Sequence, residues 1–198
     1  MPNVSAVKAK YFEPDGADND QVSATGTATT LVIADGGPYG NLTETITLTS
    51  SADNSGITFD IIGTDGNGDT QTDTGITGPN AGTVPFLTKF ATVTSIIASG
   101  PITTDIQAGI LGTGALTGIV FAGRTRIRGI TGTSKASAGN IVFKNTSITG
   151  TTLLTIPLTG AVSSIDPYIP DNGVLFDAGA YVNLTAASVT GVTVYYDG

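Results

Sequence analysis

Three groups of residues in this chain have the types and spacing for chemistry. Asp65, Asn67 and Asp69 alternate in the run Asp65-Gly66-Asn67-Gly68-Asp69. An EF-hand calcium loop opens in this way, with oxygen ligands at alternate places. Such a loop also has Gly at its sixth place and Glu at its twelfth, where this chain has Thr70 and Ile76. The pairs Asp65-Gly66 and Asn67-Gly68 are better read as a hairpin tip, with Gly supplying positive φ; calcium binding there stays open. Asp15, Asp18, Asn19 and Asp20 make a second oxygen-rich run, read as a solvated linker. Arg124, Arg126 and Arg128 alternate, so on a strand all three project from one face. Guanidinium groups so placed suit phosphate, carboxylate or an acidic neighbour. Asp166, Asp171 and Asp177 are the one cluster of carboxylates in the second half. A pair of carboxylates can hydrolyse a glycosidic bond, but these flank Pro167, Pro170 and Gly173 and read as turn residues.

The rest of the catalytic vocabulary is missing. The 198 residues include no His, no Cys and no Trp, so the usual proton carrier, thiolate nucleophile and soft metal ligands are absent. No nucleophile elbow, P-loop or dinucleotide fingerprint occurs. The expectation is a protein that is not an enzyme, with no catalytic residue, no cofactor and no metal site. Without Cys there is no disulfide framework either. A net charge of −8 and a pI near 4.1 disfavour nucleic acid and anionic membrane as partners, and no aromatic residues interleave the arginines. The segment from Met1 to Gly16 lacks the apolar core of a signal peptide. The apolar stretch from Ile110 to Phe121 is too short and too broken by Gly and Thr to span a bilayer. The chain is expected to be made in the cytoplasm without export.

What must position these residues is β-structure. Gly and Thr abound, and no long run carries helical spacing without interruption. Strand-like runs fall at Gln21 to Ala34, Leu42 to Thr49, Ile57 to Thr64, Thr70 to Ile76, Val84 to Phe90, Val93 to Ala98 and Ile102 to Ile110. Leu42, Ile46 and Leu48 share an apolar face with Glu44, whose place is expected at the strand end. The second half offers Ile119 to Phe121, the arginine run, Ile141 to Phe143, Leu153 to Leu158, Val174 to Phe176, Tyr181 to Leu184 and Val192 to Tyr196. The fold expected is all-β, with two small β-sandwich or jelly-roll-like domains. Residues 1–115 hold 12 acidic and 3 basic side chains, net −9, while residues 116–198 hold 4 and 5, net +1. The small, uncharged run from Leu111 to Ala115 lies at that change of sign. The division expected is an extended arm over residues 1–20, an acidic domain over 21–112 and a C-terminal domain over 116–198. Charged residues are only 12%, so Thr, Ser and Asn must cover much of the surface. Neutral polar groups cost less to desolvate than ions, and such a surface suits contact with other subunits.

Particular segments resemble small virion proteins of tailed bacteriophages. In the first half these are NSGITFDIIGTDGNG from Asn54 to Gly68, GPNAGTV from Gly78 to Val84 and KFATVTSI from Lys89 to Ile96. In the second they are GTTLLTI from Gly150 to Ile156, IPDNGVLFDAGAYVNLT from Ile169 to Thr185 and VTVYY from Val192 to Tyr196. That second pattern is frequent in marine and cyanobacterial phages, and the matched segments are spread between Asn54 and Tyr196. The resemblance implies a structural part of the virion and carries over no active-site residue. The expected role is a capsid decoration (cement) protein on the capsid surface, with the major capsid protein and copies of itself, as a homotrimer, for partners. Lys8, Lys10, Tyr11 and Phe12 are the expected arm contacts. Arg124, Arg126 and Arg128, with Val192, Val194 and Tyr196, are the expected contacts between subunits. A tail, neck or head-fibre component is the alternative, although neither long repeats nor heptads occur. A carbohydrate-binding or adhesion module is the second. It lacks Trp, and Tyr195 and Tyr196, as strand neighbours, face opposite ways.

Overall fold

In a computed structural model, which describes residues 6–198, the chain forms sixteen strands and, among the described residues, no helix. It divides into two compact units. The first unit takes the chain up to Pro14, Gly40–Leu42 and Gly114–Gly198; the inserted unit takes Asp15–Tyr39 and Thr43–Thr113.

The chain opens with β1 (Val7–Phe12), in the first unit, and continues into the inserted unit with β2 (Asp18–Gly26), β3 (Glu44–Asp53), β4 (Thr58–Thr64), β5 (Thr70–Thr77), β6 (Asn80–Phe90), β7 (Thr92–Ala98) and β8 (Ile106–Ile110). It returns to the first unit with β9 (Ala115–Phe121), β10 (Thr125–Ser134), β11 (Ala138–Asn145), β12 (Thr152–Thr159), β13 (Ser164–Ile165), β14 (Val174–Phe176), β15 (Ala180–Thr185) and β16 (Val189–Asp197).

The inserted unit packs a sheet of order β2-β8-β3-β6 against one of order β5-β4-β7. Alternation in the strands supplies the core: Ile46 and Leu48 from β3, Phe59 and Ile61 from β4, Phe86 and Phe90 from β6, and Ile106, Ala108 and Ile110 from β8 are buried in one cluster. The β4–β5 hairpin forms where the turn residues place it. Asp65 Oδ1 accepts the Asn67 and Asp69 amides at 2.8 and 3.0 Å, and Oδ2 accepts Asn67 Nδ2 at 3.0 Å. Of the two glycines expected at positive φ, Gly68 has it, at 89°; Gly66 does not, because the Asp65 side chain, rather than a second left-handed residue, closes the turn. The segment from Gln21 to Ala34, expected as a strand pair or one long strand, is neither. β2 ends at Gly26, and Thr30 bridges Ile97 at the other sheet's edge. The strand expected from Ile102 starts only at Ile106, because the Thr103 amide and hydroxyl are bound to Asn54 Oδ1 at 3.1 and 2.9 Å.

The first unit packs β12-β11-β15-β9 against a sheet in which β1, β16 and β10 are neighbours and β13 and β14 both pair with β10. Phe12, Ile127, Ile130, Val192 and Val194 meet Leu116, Ile141, Phe143, Val182 and Leu184 between the sheets. The expected arm over residues 1–20 is therefore not an arm where the chain is described. Val7–Phe12 pairs residue by residue with Asp197–Val192, and Asp18 already begins β2 of the other unit. Residues 1–5 of that expected arm lie outside the described residues. Both units are antiparallel β-sandwiches.

Candidate interaction surface

The strands β1, β16 and β10 carry most of the residues expected to make contacts, and their register decides which are free. Lys8, Lys10 and Phe12 stand opposite Tyr196, Val194 and Val192 on the inner side. Phe12, Val192 and Val194 are fully buried and Tyr196 is nearly so, which corrects the expectation that these four face a partner. In β16 the inner and outer sets are one residue apart, and a slip of one exchanges them. Lys10 is turned to its own unit. Its Nζ donates to Ile119 O on the edge of β9 at 2.7 Å and lies 5.6 Å from the Phe12 ring centre, and burial pulls the amine below its ordinary pKa. Lys8 is exposed, with Nζ 5.8 Å above the Phe121 ring centre. Tyr11 is 47% exposed.

The outer side of the same strands holds a different set. Val7 stands beside Asp197 and then Arg126; Ala9 beside Tyr195 and then Gly129; Tyr11 beside Thr193 and then Thr131. Tyr11 and Tyr195 lie over glycines, Tyr11 closer than a Cβ would allow and Tyr195 at ordinary contact. A Cβ on Gly191 would stand 2.1 Å from the Tyr11 hydroxyl, and one on Gly129 would stand 3.4 Å from the Tyr195 ring. Between the Asp197–Arg126 row and Glu13, whose charge reaches Tyr11 at the other end, this face carries no charge. It is built from tyrosine, threonine, alanine and glycine, with Val7 exposed at one end. Aromatic enrichment and depletion of charge mark the centres of protein interfaces. Thr193 and Tyr195 were missed at the sequence level. The signal was present, since Tyr195 alternates with the apolar Val192, Val194 and Tyr196 set.

The three arginines lie at the end of this face. Arg124 precedes β10, Arg126 lies in the Asp197 row, and Arg128 is the extra residue at a bulge between Ile127 and Gly129. Arg124 Nε is 3.6 Å from Asp177 Oδ1, Arg128 is 3.7 Å from Asp197 Oδ2, and Arg126 donates to Asn172 O at 2.9 Å. Arg124, Thr125, Arg126, Leu175, Asp197 and Gly198 line an open cavity of about 320 Å³.

Elsewhere the candidate chemistry is taken up by structure. The Asp65 carboxylate is spent on its turn, Asp15 accepts Gln21 Nε2 at 2.8 Å, and Asp18 accepts the Asp20 amide at 3.1 Å. Among the described residues no three His, Cys, Asp or Glu side chains come together as metal ligands. The inserted unit has one buried acid of another kind. Glu44 heads β3, as its expected place at the strand end has it, yet it is fully buried and neither carboxylate oxygen meets a hydrogen-bond partner. Burial pushes its pKa up to about 7, against the pull of Lys89.

No protein-family model matches the chain, and no curated protein matches it. Among solved structures, the major capsid protein P2 from bacteriophage PM2 aligns over 96% of this chain and 97% of that one, at 14% identity and a TM-score of 0.23.

Proposed function

We propose that this chain is a non-enzymatic structural protein of a phage particle, a decoration protein that binds and stabilises the head shell. The observation that carries this reading is the outer face of β1, β16 and β10. Its tyrosines lie on glycines and its remaining positions are small or hydroxylated. Burying such a face against another protein gives up few ionic hydration shells, and its rigid aromatics lose little entropy. The sequence resemblance to small virion proteins supplies the kind of neighbour: the major capsid protein and further copies of this chain. Nothing in this role calls for catalysis, a cofactor, nucleic acid or a membrane.

Copy number in purified particles tests the proposal, by quantitative mass spectrometry against the major coat protein. The expected result is a count near that of the coat protein. A count of about a dozen or fewer would move the chain to a tail, neck or vertex. Its absence from the particle would overturn the structural role.

A further inference from the structure

Charge is divided between the two units more sharply than along the sequence. The first unit holds seven Lys and Arg against five Asp and Glu, net +2; the inserted unit holds eleven acids against Lys89 alone, net −10. Four of the first unit's seven cations gather at one end of the β1-β16-β10 sheet. The register that sets Val7 opposite Asp197, and Asp197 opposite Arg126, brings Lys8 to the end of β10 where Arg124, Arg126 and Arg128 stand. Their present partners hold them weakly. In the Arg124–Asp177 pair the side chains are 69% and 72% exposed, and exposed pairs contribute only about 0–1 kcal/mol. Arg126 has given one donor to a carbonyl, leaving most of its guanidinium fork for a further acceptor.

The inserted unit offers the complement. Asp18 and Asp20 are exposed at the start of β2, and the Asp18 side chain, by its hydrogen bond and then its charge, holds the Asp20 carboxyl above its ordinary range. A guanidinium set against this pair relieves that repulsion and gains a charge-assisted bond. Among the described residues, both ion pairs of the chain lie within the first unit.

We propose that copies of this chain associate head to tail, the Arg124 and Arg126 cavity of one copy taking the Asp18 and Asp20 segment of the next. The contact is heterologous, and such contacts either close into rings or grow as open chains. This names a second copy as a partner and rests on the structural role proposed above, which repeats the chain many times over. At about 0.1 M salt the Debye length is about 10 Å, so repulsion between remote carboxylates is screened while the contacting groups are not.

Sedimentation velocity on the purified full-length chain tests this without particles, so its failure is separable from that of the particle role. The wild-type protein is expected to self-associate as its concentration rises. Arg124→Glu with Arg126→Glu is expected to remain monomeric, and so, separately, is Asp18→Lys with Asp20→Lys. Mixing the two variants should restore association, since one contact is then native and the other is the same pairing with its charges exchanged. Far-UV circular dichroism checks that each variant folds. The milder pairs, Arg124→Gln with Arg126→Gln and Asp18→Asn with Asp20→Asn, should each weaken association about tenfold or more. A wild-type chain that stays monomeric overturns the proposal, as do variants that associate like wild type or a mixture that stays monomeric.

Discussion

A buried acid with no hydrogen-bond partner costs free energy when ionised, and Glu44 is one. Its ordinary pKa of 4.5 is raised to about 7 in the folded unit, by burial first, with Lys89 opposing. The folded state therefore binds more protons than the unfolded state between those values, and stability must fall as pH rises through that window, levelling off above it. The drop is at most about 3 kcal/mol. Glu44→Gln, which stays neutral, should flatten this part of the curve in urea unfolding followed from pH 4 to pH 8. An unchanged slope would mean that Glu44 does not carry it. Asp73 is the opposite case. This buried carboxylate on β5 accepts the Leu87 and Thr88 amides, both at 2.8 Å, and the Thr88 hydroxyl at 3.0 Å. Asp73→Ala leaves two edge amides of β6 without their acceptor and should cost about 2–4 kcal/mol, read as a lower urea midpoint for the inserted unit.

At the scale of elements, β1 is an integral strand. Removing residues 7–12 strips Phe12 from the core and bares the edge of β16. A Phe lost from a core costs about 3–5 kcal/mol, so the first unit should unfold at clearly lower denaturant. A truncation that merely freed an arm would leave its stability unchanged, and the two are told apart by tryptophan-free probes such as circular dichroism. The sequence could not disclose this pairing, because nothing local in Val7–Phe12 says that its partner lies at Val192–Asp197. Elements fixed locally were legible. The β4–β5 hairpin, the alternation of β3 and the strands at Val93 to Ala98 and Val192 to Tyr196 all follow from period and turn residues. The choice of face was not legible in β16, where Thr193 and Tyr195 interleave with Val194 and Tyr196. Tyrosine and threonine suit either side of a sheet, so only the packed partner decides. The arginine run was legible as an alternation, but not that Arg124 lies outside β10 and Arg128 at a bulge; Lys8 joins them only through the β1–β16 register. Glu44 was visible as a misfit on an apolar face, and the misfit is now explained by full burial.

At the scale of the molecule, the chain leaves the first unit after Pro14 and returns for good at Gly114, so one sandwich is inserted in the other. Its outermost described pairing sets Val7 against Asp197, with β1 and β16 running antiparallel from there. Tension applied between the two ends of the chain therefore loads the rungs of that ladder one after another, in peeling rather than in shear. The inserted unit bears no load until β1 has come away, because both points where the force would enter it lie beyond the intact first unit. In an optical trap the first rip should be that of the first unit, with the acidic sandwich opening only after it. A record in which the acidic sandwich opens first would contradict the connectivity. A protein tethered by its ends would thus yield at one sandwich and keep the other shielded from force.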